Sequence, residues 1–370
     1  MFLKNKWQNL SIKKKLFLWS SLTIIIAFSL LYISMYLFMP KVYEFYKVNN
    51  INEEIKELKY ELLNNEEIDI DEVLDKFSYE NNLDILLVKK DGNNLINEVI
   101  KESNINKEKI LGAGVALHGI VNAKTGISIY SPYYDWKDKD IKKALENELN
   151  LNVYVDNDVR AMALGESWFG ITKNIGNFVT LNISNGIGAG IIINNKPYYG
   201  VDFSAGEIGH IVVDGDGEKC NCGNYGCLET VSSNNNITKK TIKLIKQGAN
   251  SILKDIKEDI NDLTIDDICY AAKLEDELAI SIIKESSRYI GIAITNLINI
   301  LNPTAIVVVG EIFENTFYAI ETLNEIVKNR GMKLSSENVK IIKSMLGRDA
   351  AVVGASTLVI QELFNGMKIN

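Results

Sequence analysis

Gly186-Ile187-Gly188-Ala189-Gly190 opens a stretch that continues through Gly206-Glu207-Ile208-Gly209-His210 to Cys220-Asn221-Cys222-Gly223-Asn224-Tyr225-Gly226-Cys227-Leu228-Glu229. Three of the chain's four cysteines and one of its two histidines lie between positions 210 and 227. Three thiolates and an imidazole at these separations are what a closed tetrahedral zinc site requires, so His210, Cys220, Cys222 and Cys227 are expected to hold a structural zinc ion. His118 and Cys269 lack such company and are assigned to packing. Gly186, Gly188 and Gly190 let a backbone approach a ligand and turn amides toward an anion, although a hairpin without a ligand uses the same residues.

Upstream, Val153-Tyr154-Val155-Asp156-Asn157-Asp158-Val159-Arg160 reads as a strand that ends in two acids and an amide just before a helix. Carboxylates at the carboxyl end of a strand stand where open α/β sheets place ligands, and capping the helix would occupy only one of the three. Around this pair of segments the apolar pattern predicts strands at 110–117, 127–130, 178–183, 191–193, 305–309 and 339–342. It predicts helices at 139–148, 159–169, 237–257, 275–301, 316–328 and 350–363. Alternation on this scale implies an α/β architecture with helix-covered sheets.

A net charge of −8 excludes the basic stripe that a nucleic-acid surface needs, and 46% hydrophobic with 24% charged residues suits a chain with a sizeable core. Clustered cysteines beside Gly-rich turns fit a reducing compartment, which predicts a cytoplasmic location for the domain that carries them. The N-terminus points elsewhere. Residues 16–40 contain no charge and exceed the roughly 20 apolar residues that cross a bilayer, so a single-pass membrane protein is expected, with a cleavable signal peptide as the rival reading. Lys4, Lys6, Lys13, Lys14 and Lys15 precede that run, and the positive-inside rule then puts everything after Pro40 outside. The expected organisation is a basic tail (1–15), a transmembrane helix (16–40), an acidic juxtamembrane region (41–94) and an α/β domain (95–370). The juxtamembrane part weakly resembles the start of a bacterial sensor kinase.

The glycine run, Gly-Glu-Ile-Gly-His at 206–210 and Cys-x-Cys-Gly-x-x-Gly-Cys-Leu-Glu at 220–229 together resemble the ROK family of sugar kinases and sugar-responsive repressors, over about 95–364. The resemblance implies the actin-like, ribonuclease-H-like ATPase fold in two lobes, a sugar in the cleft, and a homodimer. It places Asn157, Asp158, Glu207, His210 and Glu229 at the sugar, with Asp158 as general base if the chain is a kinase. It places Gly186, Gly188 and Gly310 at ATP, with Mg as its companion ion.

Two departures bear on that kinase reading. Active members open with a strand and an Asp-x-Gly-Gly-Thr hairpin. The nearest segment here, Ile85-Leu86-Leu87-Val88-Lys89-Lys90-Asp91-Gly92-Asn93-Asn94, lacks the paired glycines and the threonine, so the first strands of the fold are expected to be missing. The later adenosine signature ends in Gly310-Glu311 where two glycines are usual. No basic recognition helix precedes the domain, so direct DNA binding is not expected. The expectation is a sugar-recognition protein of the repressor-like branch, with an ATP-dependent hexose kinase as the alternative.

Overall fold

The predicted strands and helices sort into three sheets in the computed structural model, which describes residues 110–131 and 135–366. Strand β1 (Ala113–Leu117) is followed by β2 (Ile120–Asn122), β3 (Ile127–Ser131) and β4 (Trp136–Asp140), an antiparallel ribbon in the order β2-β3-β4. Helix α1 (Ile141–Leu149) returns the chain to β5 (Val153–Asn157), which pairs with β1 in parallel and sets Leu117 opposite Asn157. Helix α2 (Asp158–Trp168) leaves directly from β5.

The second lobe begins with the hairpin β6 (Phe178–Ile183) and β7 (Ile187–Ile193), edged by β8 (Lys196–Pro197). After the cysteine segment come α3 (Leu228–Ser232), α4 (Asn234–Lys246), α5 (Ile265–Lys273) and the long α6 (Glu277–Leu301). Then follow β9 (Ala305–Val309), α7 (Glu311–Asn315), α8 (Tyr318–Arg330), β10 (Lys340–Lys343) and α9 (Ala350–Gly366). The sheet order is β10-β9-β6-β7-β8, with β9 parallel to both β6 and β10. All five residues of β9 are buried, the continuous apolar run of a parallel strand covered on both faces. Leu181, Ile183, Ile306 and Val308 form one core with Ile283, Ile290, Ile294 and Ile298 of α6.

Two helices join the lobes. α2 packs on β6 and β7 and also touches β1 and β5, while α9 packs on α2, β1 and β5. Their crossing is backbone to backbone. A Cβ on Gly354 would stand 1.8 Å from the carbonyl of Ala161, and one on Gly114 would stand 1.8 Å from that of Ala355. Glycine is required at both crossings because nothing larger fits.

Several expectations change here. The single-pass membrane localisation is corrected: among the described residues no helix is long and apolar enough to cross a membrane, and residues 16–40, on which the span was read, lie outside the described residues. The 85–94 segment, nearest to the missing first hairpin, and the whole region 41–94 also lie outside them. β4 was not expected. Its sequence, Trp-Lys-Asp-Lys-Asp, is mostly exposed at the ribbon edge, where charge suits a strand that must not pair further. The helix expected over 237–257 is split in two: it stops at Lys246, Gly248 at φ +99° breaks it, and a single turn resumes at Leu253–Ile256.

Candidate functional site

β5 brings three polar residues to the root of α2, and each does something different. Asp156 turns into the core at 1% exposure and holds Arg160, whose Nε lies 2.8 Å from its Oδ1. Arg160 also donates to the carbonyls of Phe203 and Val121. Burial raises the Asp156 pKa even against this guanidinium. Asn157 caps α2, its Oδ1 accepting from the amides of Val159 and Arg160 at 3.0 and 3.1 Å. Its Nδ2 donates to the Gly119 carbonyl and to Asp158 Oδ1, at 3.0 and 2.9 Å. The same Asp158 oxygen accepts from the Val159 amide at 2.9 Å, which fixes the carboxylate at the positive end of the helix.

The facing residues come from the quoted stretch. Gly206 takes φ +100° and presses against β7, where a Cβ would stand 1.9 Å from the Ala189 carbonyl; the Ala189 amide in turn donates to Gly206 O at 2.8 Å. This lock delivers Glu207, whose Oε2 stands 3.8 Å from His210 Nε2. Glu207 keeps 40% of its side chain exposed, yet the surrounding walls remove enough water to raise its pKa. His210, His118 and Arg160 oppose that rise, and Asp158 adds to it. Glu229, in the first turn of α3, accepts from the Ile187 amide at 3.2 Å. A Cβ on Gly186 would lie 3.5 Å from Glu229 Oε2 and 3.7 Å from His118 Cε1. The structure thus draws Asp158, Glu207, His210 and Glu229 together with His118 around the carboxyl ends of β1 and β5.

Behind this wall lies the cysteine cluster. The ligand atoms of His210, Cys220, Cys222 and Cys227 all lie within 4.8 Å of one another, so the group could hold a metal ion. Cys220 Sγ stands 3.6 Å from His210 Nδ1, and the sulfurs of Cys222 and Cys227 are 3.7 Å apart. A tetrahedron with Zn–S of about 2.3 Å and Zn–N of about 2.0–2.1 Å has edges of about 3.6 Å (N to S) and about 3.8 Å (S to S). Bridges Val212–Cys227 and Lys219–Tyr225 hold the loop, and the Cys220 amide donates to Asn224 O at 2.7 Å. Burial pushes the Cys227 thiol up to about 12 and raises Cys220, whereas the Asn224 backbone lowers the exposed Cys222. At neutral pH the two buried sulfurs become thiolates when a cation takes the place of their protons.

The glycines divide by function. Gly188 and Gly190 lie inside β7, paired with Asn182 and Thr180 of β6. The alternate residues Ala189 and Ile191 turn their backbone outward, to Gly206 and Tyr198, so the amides of Gly188 and Gly190 belong to the β6 ladder. A Cβ on Gly190 would stand 2.4 Å from Val159 O and 2.6 Å from Ala163 Cβ, and one on Gly188 would stand 3.0 Å from Val159 Cγ2. Both let α2 settle on the sheet, and their amides face β6, as in the ligand-free hairpin reading of the glycine run. Gly186, in the hairpin turn, remains at the cleft. Gly310 takes φ +139°, and a Cβ there would strike the Ile183 carbonyl at 2.1 Å. Next to it the Glu311 carboxylate accepts from Asn234 Nδ2 at 2.7 Å.

His118 was assigned to packing, and the structure departs from that. It is exposed at the end of β1 rather than packed. It follows directly on Leu117, which pairs with Asn157, and a single imidazole in the sequence carries no pattern that would reveal this place.

Residues 90–362 match the ROK family. The N-acetylglucosamine repressor of Escherichia coli O6:H1 is 32% identical over 274 residues, 74% of this chain and 66% of the repressor, so the chain spans just under two thirds of that relative. A solved ROK family transcriptional regulator, a homologue of the Escherichia coli MLC protein, superposes with a TM-score of 0.68 at 30% identity, over 82% of this chain and 71% of that one. A ROK family glucokinase from Streptomyces griseus, solved with glucose and AMPPNP, gives a TM-score of 0.66 at 25% identity, over 72% of this chain and 86% of the other. These likenesses establish the two-lobed actin-like fold.

Proposed function

We propose, from the premise that the chain belongs to the ROK family, that its cleft recognises a monosaccharide and that sugar recognition, not phosphoryl transfer, is its task. The observation that carries this reading is the convergence of Asp158, Glu207 and Glu229 on one cleft, with His210 between them and the cysteine cluster. Carboxylates accept hydrogen bonds from sugar hydroxyls, and a carboxylate pinned by backbone amides is oriented before the ligand arrives.

The donor set suits zinc, three soft thiolates and one imidazole at tetrahedral spacing. With all four positions taken by protein, zinc there would brace the loop and not activate water. Cys220, Cys222 and Cys227 would hold the segment, and His210 would bind through Nδ1 while its Nε2 edge faces Glu207 and the cleft.

ATP chemistry has less support in the residues present. Phosphoryl transfer depends on positioned donors around the phosphates, and here Glu311 sets a carboxylate, tied to Asn234, beside Gly310. The second reading, a hexose kinase, rests on Asp158, whose fixed carboxylate could take the proton of an attacking sugar hydroxyl. Titration of the full chain with glucose, N-acetylglucosamine and xylose by calorimetry, alongside coupled ADP release in the presence of Mg-ATP, separates the two. Sugar binding without ADP is the expected result. ADP release dependent on a sugar would establish the kinase, and the absence of binding to any sugar would sink both.

A further inference from the structure

We propose that His118 is a specificity-determining residue of this cleft, selecting a sugar that carries an acceptor-only oxygen, as an acyl amide or a phosphate does, over one that offers hydroxyls alone. The inference rests on the reading of the cleft as a sugar site and adds the class of sugar it takes.

The place of His118 is built by the fold. β1 and β5 run in parallel with Leu117 opposite Asn157, so His118 emerges at the same sheet edge as Asp158. The next residue, Gly119, takes φ +94°, and a Cβ there would stand 2.4 Å from the carbonyl of Tyr130. Its own carbonyl accepts from Asn157 Nδ2. The backbone that carries the imidazole is therefore held by the same amide that caps α2. Across the gap, the missing side chain of Gly186 leaves a space bordered by Glu229 Oε2 at 3.5 Å and His118 Cε1 at 3.7 Å.

The chemistry follows from which groups stand around that space. Asp158, Glu207 and Glu229 can only accept, so they read ligand hydroxyls and repel a ligand oxygen that has no hydrogen to give. Nitrogen donors nearby are held inside the fold: Arg160 by Asp156, Phe203 and Val121, and the Asn157 amide by Gly119 and Asp158. His210 turns one nitrogen to Cys220 and the other toward Glu207. His118 is exposed, so it can exchange the partner it holds for an oxygen of the ligand. An imidazole N–H there answers an oxygen that the three carboxylates would reject.

The test compares full-length wild type, His118→Ala and His118→Gln by calorimetric titration with glucose, N-acetylglucosamine and glucose 6-phosphate. Wild type is expected to bind at least one of the two acceptor-bearing sugars about tenfold more tightly than glucose, the upper end of what one neutral hydrogen bond contributes. His118→Ala should erase that preference, the acceptor-bearing sugar losing more affinity than glucose, and His118→Gln, which keeps an N–H donor, should restore part of it. The sugar that loses affinity in His118→Ala tells the acyl source from the phosphate source. An unchanged preference in both variants, or equal loss for all three sugars, overturns the proposal. A wild type that binds glucose without any preference overturns it while leaving the sugar site standing, and a wild type that binds none of the three overturns both. If His118→Ala melts early, His118→Gln alone decides: a preference reduced from wild type supports the proposal, and an unchanged one overturns it.

Discussion

On one wall of the cleft, Glu207 and Glu229 ride on short segments clamped between β7 and a cluster of three cysteines and a histidine. At the carboxyl ends of β6 and β9, Glu311 follows Gly310 and is tied to Asn234. The first arrangement presents carboxylates in fixed directions without using their free edges. The second spends a carboxylate on internal structure at the place where the family resemblance puts a nucleotide. On the proposed reading, two neighbouring regions of one fold keep and lose their ligand chemistry separately, because each depends on its own loop.

The contrast between the two regions can be broken at its strongest point first. Cys227→Ser, at a fully buried position, should abolish bound metal, read by plasma mass spectrometry, and lower the melting temperature more than any other single substitution in the cleft, with sugar binding lost as well. Retention of sugar affinity in the metal-free protein would show that the cluster does not brace the wall. Next, Asp158→Asn and Glu229→Gln should each weaken sugar binding by roughly 10- to 100-fold, the worth of about 1.5–3 kcal/mol, without shifting the melting temperature much.

A glycine pair gives a sharper contrast. Gly190→Ala drives a methyl into Val159 and Ala163 and should cost about 1–3 kcal/mol of stability. Gly186→Ala meets only ordinary contacts, so it should fold normally while its methyl, between His118 and Glu229, reduces ligand affinity. The smallest effect is expected from Glu311→Gly. It removes the bond to Asn234, worth about 1 kcal/mol, and should not by itself bring ATP turnover, since one altered loop does not make a phosphate site.

How much of this was legible in the sequence follows from what each residue had to do. β6, β9 and α6 announce themselves because burial demands apolar side chains at the period of the element. The cysteine cluster was readable because thiolates and an imidazole at short spacing have few other uses. The first half of β7 was hidden, since its glycines are chosen for the close approach of α2 and not for strand propensity. β4 was hidden by its charges. His118 was hidden because a single imidazole carries no pattern; its place beside Gly186 and Glu229 is visible only in the folded chain. Asp156, Asn157 and Asp158 were seen as a group, but their division into core ion pair, helix cap and cleft carboxylate depends on side-chain direction, which period-2 alternation only begins to indicate.

Calorimetric titration of the full chain with monosaccharides, each run with and without Mg-ATP, bears most directly on the claim that the cysteine-braced wall binds sugar while the β9 end does not serve a nucleotide. A saturable heat with at least one sugar is expected, unchanged in affinity by Mg-ATP and unaccompanied by ADP. Sugar binding that appears only with Mg-ATP, or that is followed by ADP release, would contradict that claim.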